Sequence, residues 1–133
     1  MLLLDTHILL WFLSDDPKLP AAVKEMIETS QSVCVSVGTF WEIAIKDSIG
    51  KLKLPAPVAA LMAGCEEIGF DILPIKAVHL AMLKELPKIH GDPFDRLFVC
   101  QAMSEDMTLV TADSNIVKYG VKTCWGAESA KES

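Results

Sequence analysis

Positive charge is what this chain has little of: 12 Lys and Arg stand against 18 Asp and Glu, leaving a net charge of −6 at pH 7. Proteins that grip nucleic acid through its phosphates use basic patches that displace counterions, so such a partner would need positive charge from another source here. No uninterrupted apolar run approaches the roughly 18 residues of a membrane-spanning helix. The apolar start MLLLDTHILLWFL lacks a basic flank and is broken by Asp5 and His7, unlike a signal peptide. The expectation is a cytoplasmic protein without membrane contact. Cys34, Cys65, Cys100 and Cys124 form no C-x-x-C pair and lie in apolar contexts such as VCVSV and LFVCQA, so they read as reduced core residues. Repeats, low-complexity segments and interdomain linkers are also missing.

What is present is a well-cored chain. Its 133 residues are 51% hydrophobic, which suits one compact domain with some apolar surface left for a partner. The pattern predicts strands at Met1–Leu4, Val33–Val37, Phe70–Leu73 and Thr108–Ala112, with an edge strand at Val121–Thr123. Between them it predicts helices at Ile8–Leu13, from Pro20 through PAAVKEMIETS, at Phe40–Ile49 capped by Thr39, at Pro57–Glu67, at Lys76–Leu86 and from Pro93 to about Glu105. A short helix follows Asp113. Strand and helix in alternation argue for an α/β sandwich with a mainly parallel central sheet flanked by helices, spanning residues 1–126 and followed by a polar tail at 127–133.

The stretch HGDPFDRLFVCQA puts Asp92 and Asp95 three residues apart at the mouth of an apolar helix. Asp92 before Pro93 is a helix cap. For Asp95 an ordinary first-turn role is worth only about 0.5 kcal/mol, a weak reason for its place. Three other acids fall at comparable points: Asp5 ends the first strand, Glu42 follows the second, and Asp113 ends TLVTA. Each has a local alternative: a helix cap for Asp5, a capping acid or an i,i+4 pair with Lys46 for Glu42, a turn for Asp113.

Ligands in parallel α/β folds bind beyond the carboxyl ends of the strands, where all four carboxylates would meet. Gathered acids repel one another unless a cation joins them. Oxygen ligands suit Mg²⁺ or Mn²⁺, and two such ions clamp the attacking and leaving oxygens of phosphodiester hydrolysis. Two divalent ions would also move the formal charge from −6 to −2. A phosphate-accepting receiver domain would want adjacent acids after the first strand, where LLLDTH has one. A haloacid-dehalogenase-like phosphatase would need a second Asp where His7 stands.

The blocks LLDTHILLW, SVGTFWEIAIK with GKLKL, HGDPFDRLFVCQA and TLVTADSNI, in this order over residues 1 to about 125, resemble the PIN-domain ribonucleases and, within them, the VapC-type toxins of toxin–antitoxin pairs. The resemblance implies a metal-dependent endoribonuclease restrained by a cognate antitoxin, with Asp5, Glu42, Asp95 and Asp113 at the family's catalytic, metal-binding positions. Thr6 and Thr111 match hydroxyl positions beside those acids, where a local backbone hydrogen bond is an equal alternative. Asp92 remains the cap next to the site. Arg96 is a candidate for phosphate or for a surface ion pair, and His90 for substrate contact, whereas His7 and His79 read as structural. The apolar excess of the first two helices and of WEIAIK suggests a homodimer and an antitoxin contact. The alternative is a catalytically inactive PIN-like module that binds RNA or protein.

Overall fold

In the computed structural model, which describes residues 1–125, β1 (Leu2–Leu4) lies at the centre of a five-stranded sheet. β2 (Val33–Ser36) and then β3 (Asp71–Leu73) lie on one side of it; β4 (Thr108–Val110) and then β5 (Thr123–Cys124) lie on the other. Every pairing is parallel. Leu4 stands level with Val35 and with Val110, so the chain leaves all three central strands at one edge. The polar tail expected at 127–133 lies outside the described residues.

Alternation along the strands explains why helices cover both faces. Leu2 and Leu4 point into a core shared with Ile8 and Leu9 of α1 (Thr6–Leu13), Val23 and Ile27 of α2 (Ala21–Thr29), Phe40 and Ile43 of α3 (Val37–Ser48), and Leu61 and Cys65 of α4 (Val58–Glu67). Leu3 points the other way, into a core with Phe98, Val99 and Ala102 of α6 (Pro93–Ser104) and Ile116 of the 3-10 turn Ile116–Tyr119. Against α6 packs α5 (Ala77–Glu85). His79 is fully buried, its Nδ1 accepting from the Lys76 N–H at 3.0 Å and its Nε2 lying 2.9 Å from Glu105; this is the structural role expected of it. The four cysteines are buried free thiols. Among the described residues, no helix is long and apolar enough to cross a membrane.

The edge strand expected at Val121–Thr123 forms instead at Thr123–Cys124, and three boundaries near the carboxyl edge also differ from the sequence expectation. Helix α3 begins at Val37, capped by the Ser36 hydroxyl, which accepts from the Gly38 N–H at 3.0 Å. Thr39 is therefore not its cap, and Glu42 sits beyond the first turn, out of reach of a capping box. The β-branched Val37 reads as strand by propensity, but Gly38 lets the helix start here by packing directly on Leu97 of α6. Helix α1 begins at Thr6 because Asp5 caps it, and β4 stops at Val110, leaving Thr111 and Ala112 in the loop that carries Asp113.

Candidate metal centre

The carboxyl edge of the sheet collects the acids, each delivered by a different element. Asp5 follows β1; its backbone N–H donates to the Val110 carbonyl, and its Oδ1 accepts from the Ile8 N–H at 2.9 Å. It thus caps α1 while only 6% exposed. Burial raises its pKa, against the opposing effect of the Thr111 hydroxyl and the Ile8 N–H. Thr111 also accepts from the Asp113 N–H at 3.1 Å, tying the two acids through one hydroxyl.

Asp95 stands in the first turn of α6, behind the cap Asp92, whose Oδ1 accepts from the Phe94 and Asp95 N–H groups at 2.9 and 3.0 Å. Asp5, Asp95 and Asp113 line one open cavity of about 330 Å³ together with His7, Trp11 and Ala112. The Asp95 carboxyl is pushed up to about 7, first by burial and then by repulsion from Asp92 and Asp5, with Glu42 adding to it and His90 opposing. Asp113 behaves oppositely. Burial works to raise it, but the Asn115 N–H and His90 outweigh that and hold it below the usual carboxylate range.

Glu42 reaches the site from α3 and is almost fully buried. Its Oε1 accepts from the Thr6 hydroxyl, and its Oε2 pairs with Lys46 Nζ at 2.6 Å. The i,i+4 pair is therefore real. Glu42 lies outside the cavity lined by Asp5, Asp95 and Asp113 and outside the His90–Asp95–Asp113 cluster, and it reaches Asp5 and Asp95 only through its charge. Lys46 in turn is held protonated, first by Glu42 and more weakly by Asp92 and Asp95, so it serves as a resident counter-ion for the acids.

His90 takes a larger part than its sequence position suggests. Its Nδ1 accepts from the Asp92 N–H at 3.0 Å, which leaves the ring proton on Nε2, 2.7 Å from Asp113 and 3.5 Å from Asp95. Donor atoms of His90, Asp95 and Asp113 all lie within 4.8 Å of one another. With one nitrogen occupied and the other donating, His90 orients Asp113 as a ligand's hydrogen-bond partner does. The signal in the sequence is the HG pair, His90 and Gly91, directly ahead of the cap Asp92. Arg96 points elsewhere: its guanidinium donates to the carbonyls of Pro87 and Leu86 at 2.9 and 3.3 Å and to the Tyr119 hydroxyl at 3.4 Å. Among the described residues it makes no ion pair, and it instead clamps the loop that carries His90.

These residues fit a divalent cation. The ligand atoms within reach of a single ion are those of His90, Asp95 and Asp113, with Asp5 lining the same cavity, and an oxygen-rich set of this kind suits a hard divalent cation.

A doubly covered parallel sheet with an acidic centre at its carboxyl edge defines an α/β protein built around a candidate metal site. More narrowly, the chain belongs to the PIN-domain family, whose pattern it matches over residues 2–122. It is similar to Ribonuclease VapC22 of Mycobacterium tuberculosis, with 28% identity over 119 residues that cover 86% of this chain and 88% of that protein. The fold is shared with VapBC2 of Rickettsia felis, bound to a DNA fragment from its promoter (TM-score 0.71, 16% identity, 94% of this chain and 98% of that one). It is shared as well with FitAcB of Neisseria gonorrhoeae (TM-score 0.66, 18% identity, 92% and 96%).

Proposed function

We propose that this chain is a metal-dependent endoribonuclease and the toxin of a toxin–antitoxin pair, acting in the cytoplasm. The observation that carries the chemistry is the convergence of Asp5, Asp95 and Asp113 on one cavity, with Asp95 raised to about 7. The likeness to a VapC ribonuclease and to VapBC and FitAcB assemblies supports the substrate class and the antitoxin.

In this reading Asp5, Asp95 and Asp113 hold the cation, and Glu42 adds negative charge from α3. A bound Mg²⁺ or Mn²⁺ supplies charge for the phosphate and lowers the pKa of water at neutral pH. Thr111 fixes Asp5 relative to Asp113, Thr6 fixes one oxygen of Glu42, and His90 fixes Asp113. The reaction adds water across the P–O3′ bond: the water oxygen bonds to phosphorus in line, the P–O3′ bond breaks, and the proton released by water ends on the 3′ oxygen. RNA incubated with Mg²⁺ or Mn²⁺ is expected to yield 5′-phosphate and 3′-hydroxyl ends, and EDTA to stop the reaction. Cleavage that survives EDTA and leaves 2′,3′-cyclic phosphates would overturn the reading.

A second copy of the chain is part of the proposal. An apolar cavity of about 440 Å³ lies between α3, α5 and α6, lined by Trp41, Ile45, Leu80, Leu83, Phe94 and others, with Trp41 57% and Leu80 54% exposed. Covering such a patch favours association. Sedimentation at micromolar concentration is expected to show a dimer that Trp41→Glu dissociates; a wild-type monomer at high micromolar concentration would remove this part.

A further inference from the structure

The mechanism leaves unused an aromatic wall beside the acids. His7 and Trp11 sit one turn apart on α1, with ring centroids 6.0 Å apart, and Trp125 extends the row at 6.0 Å from Trp11. His7 and Trp11 border two spaces at once. On one side is the cavity of Asp5, Asp95 and Asp113; on the other is a groove of about 270 Å³ lined by Leu10, Leu52, Lys53, Pro55 and Leu61, among others. A strand whose phosphate lies at the acids would therefore place a neighbouring base against Trp11, with Lys53 in the groove beyond.

We infer that His7 and Trp11 form a stacking platform for a nucleobase next to the scissile phosphate of single-stranded RNA. The inference rests on the ribonuclease reading and deepens it. Base stacking on aromatic rings tolerates any sequence, because every base has a π-face, and it adds affinity beyond the phosphate contacts. That suits a chain of net charge −6, in which phosphate contacts have few basic side chains to draw on.

The test compares the whole protein with Trp11→Ala, Trp11→Phe and His7→Ala. Each is titrated, in Ca²⁺, with a labelled single-stranded RNA of mixed sequence and with an abasic ribose–phosphate chain of equal length. KM and kcat for the RNA are measured in Mn²⁺. Because Trp11 also packs on the core, thermal melts accompany every variant, and exposed His7 gives a change that folding tolerates. Trp11→Ala is expected to weaken RNA binding about five- to hundredfold and to raise KM in proportion. Trp11→Phe should restore most of it, His7→Ala should cause a smaller loss, and binding of the abasic chain should not change. Equal losses for RNA and abasic chain would reveal a merely structural role and overturn the platform, as would well-folded His7 and Trp11 variants that bind RNA like wild type. If these variants instead lose only a co-expressed antitoxin, the wall belongs to a protein partner and the inference fails. Wild type that binds RNA through Trp11 yet cleaves none with any divalent ion would sink the ribonuclease reading and leave the platform standing.

Discussion

Asp95→Asn is expected to abolish divalent-metal-dependent RNA cleavage while making the metal-free protein more stable at pH 8. The Asp95 carboxyl titrates near 7 in the folded chain against an ordinary 3.8. Between those values the folded state holds a proton that the unfolded state has released, so stability falls as pH rises through this window. Three pK units correspond to at most about 4 kcal/mol, reached above pH 7 and absent below about pH 4. Asparagine keeps the shape and removes the charge, so melting curves of variant and wild type should coincide near pH 4, separate progressively as pH rises, and differ most above pH 7. A cation must displace the same proton, so wild-type metal affinity should climb from pH 5.5 to 8. Asp92→Asn is the contrast: asparagine still caps α6, so stability should change little and cleavage should survive. Melts and cleavage assays showing Asp92→Asn dead and Asp95→Asn active would reverse the assignment of cap and ligand.

Gly38→Val is expected to lower stability by about 3 kcal/mol, roughly 10 °C in Tm for a chain of this size, and to depress cleavage in what remains folded. A Cβ at this position would lie 2.7 Å from Leu97 Cδ2 and 3.2 Å from the Ser36 hydroxyl that caps α3. Leu97 is buried, so the strain passes to the separation of α3 from α6, the helices that carry Glu42 and Asp95. Gly38→Ala should cost less, since helix propensity returns up to about 1 kcal/mol, and adding Leu97→Ala should relieve its overlap. A valine variant that melts with wild type would show that the helices do not need this contact.

The parallel sheet and its carboxyl-edge acids were legible because they rest on local signals: short apolar runs, and Asp5 and Asp113 placed just past them. Asp92-Pro93 likewise announced its helix. The start of α3 was not legible. Val37 and Gly38 have the propensities of strand and turn, and what makes them helical is a neighbour some sixty positions away, a contact only the tertiary structure supplies. The same holds for Arg96, whose charge suggested phosphate but whose partners are backbone carbonyls of a loop. His90 was placed near the site by proximity in sequence, yet its function depends on which nitrogen faces Asp113, and that follows from the Asp92 N–H.

Asp5 carries two duties on one carboxyl: an oxygen that caps α1 and a charge that faces the cavity. Asp95 caps nothing, because Asp92 does that for α6. The two acids therefore differ as places to disarm the protein. Truncation at Asp5 removes chemistry and helix start together, so a silent variant there confounds lost activity with lost fold. Truncation at Asp95 would, on the proposed function, separate them, giving a folded chain without cleavage activity that still presents its surfaces to partners.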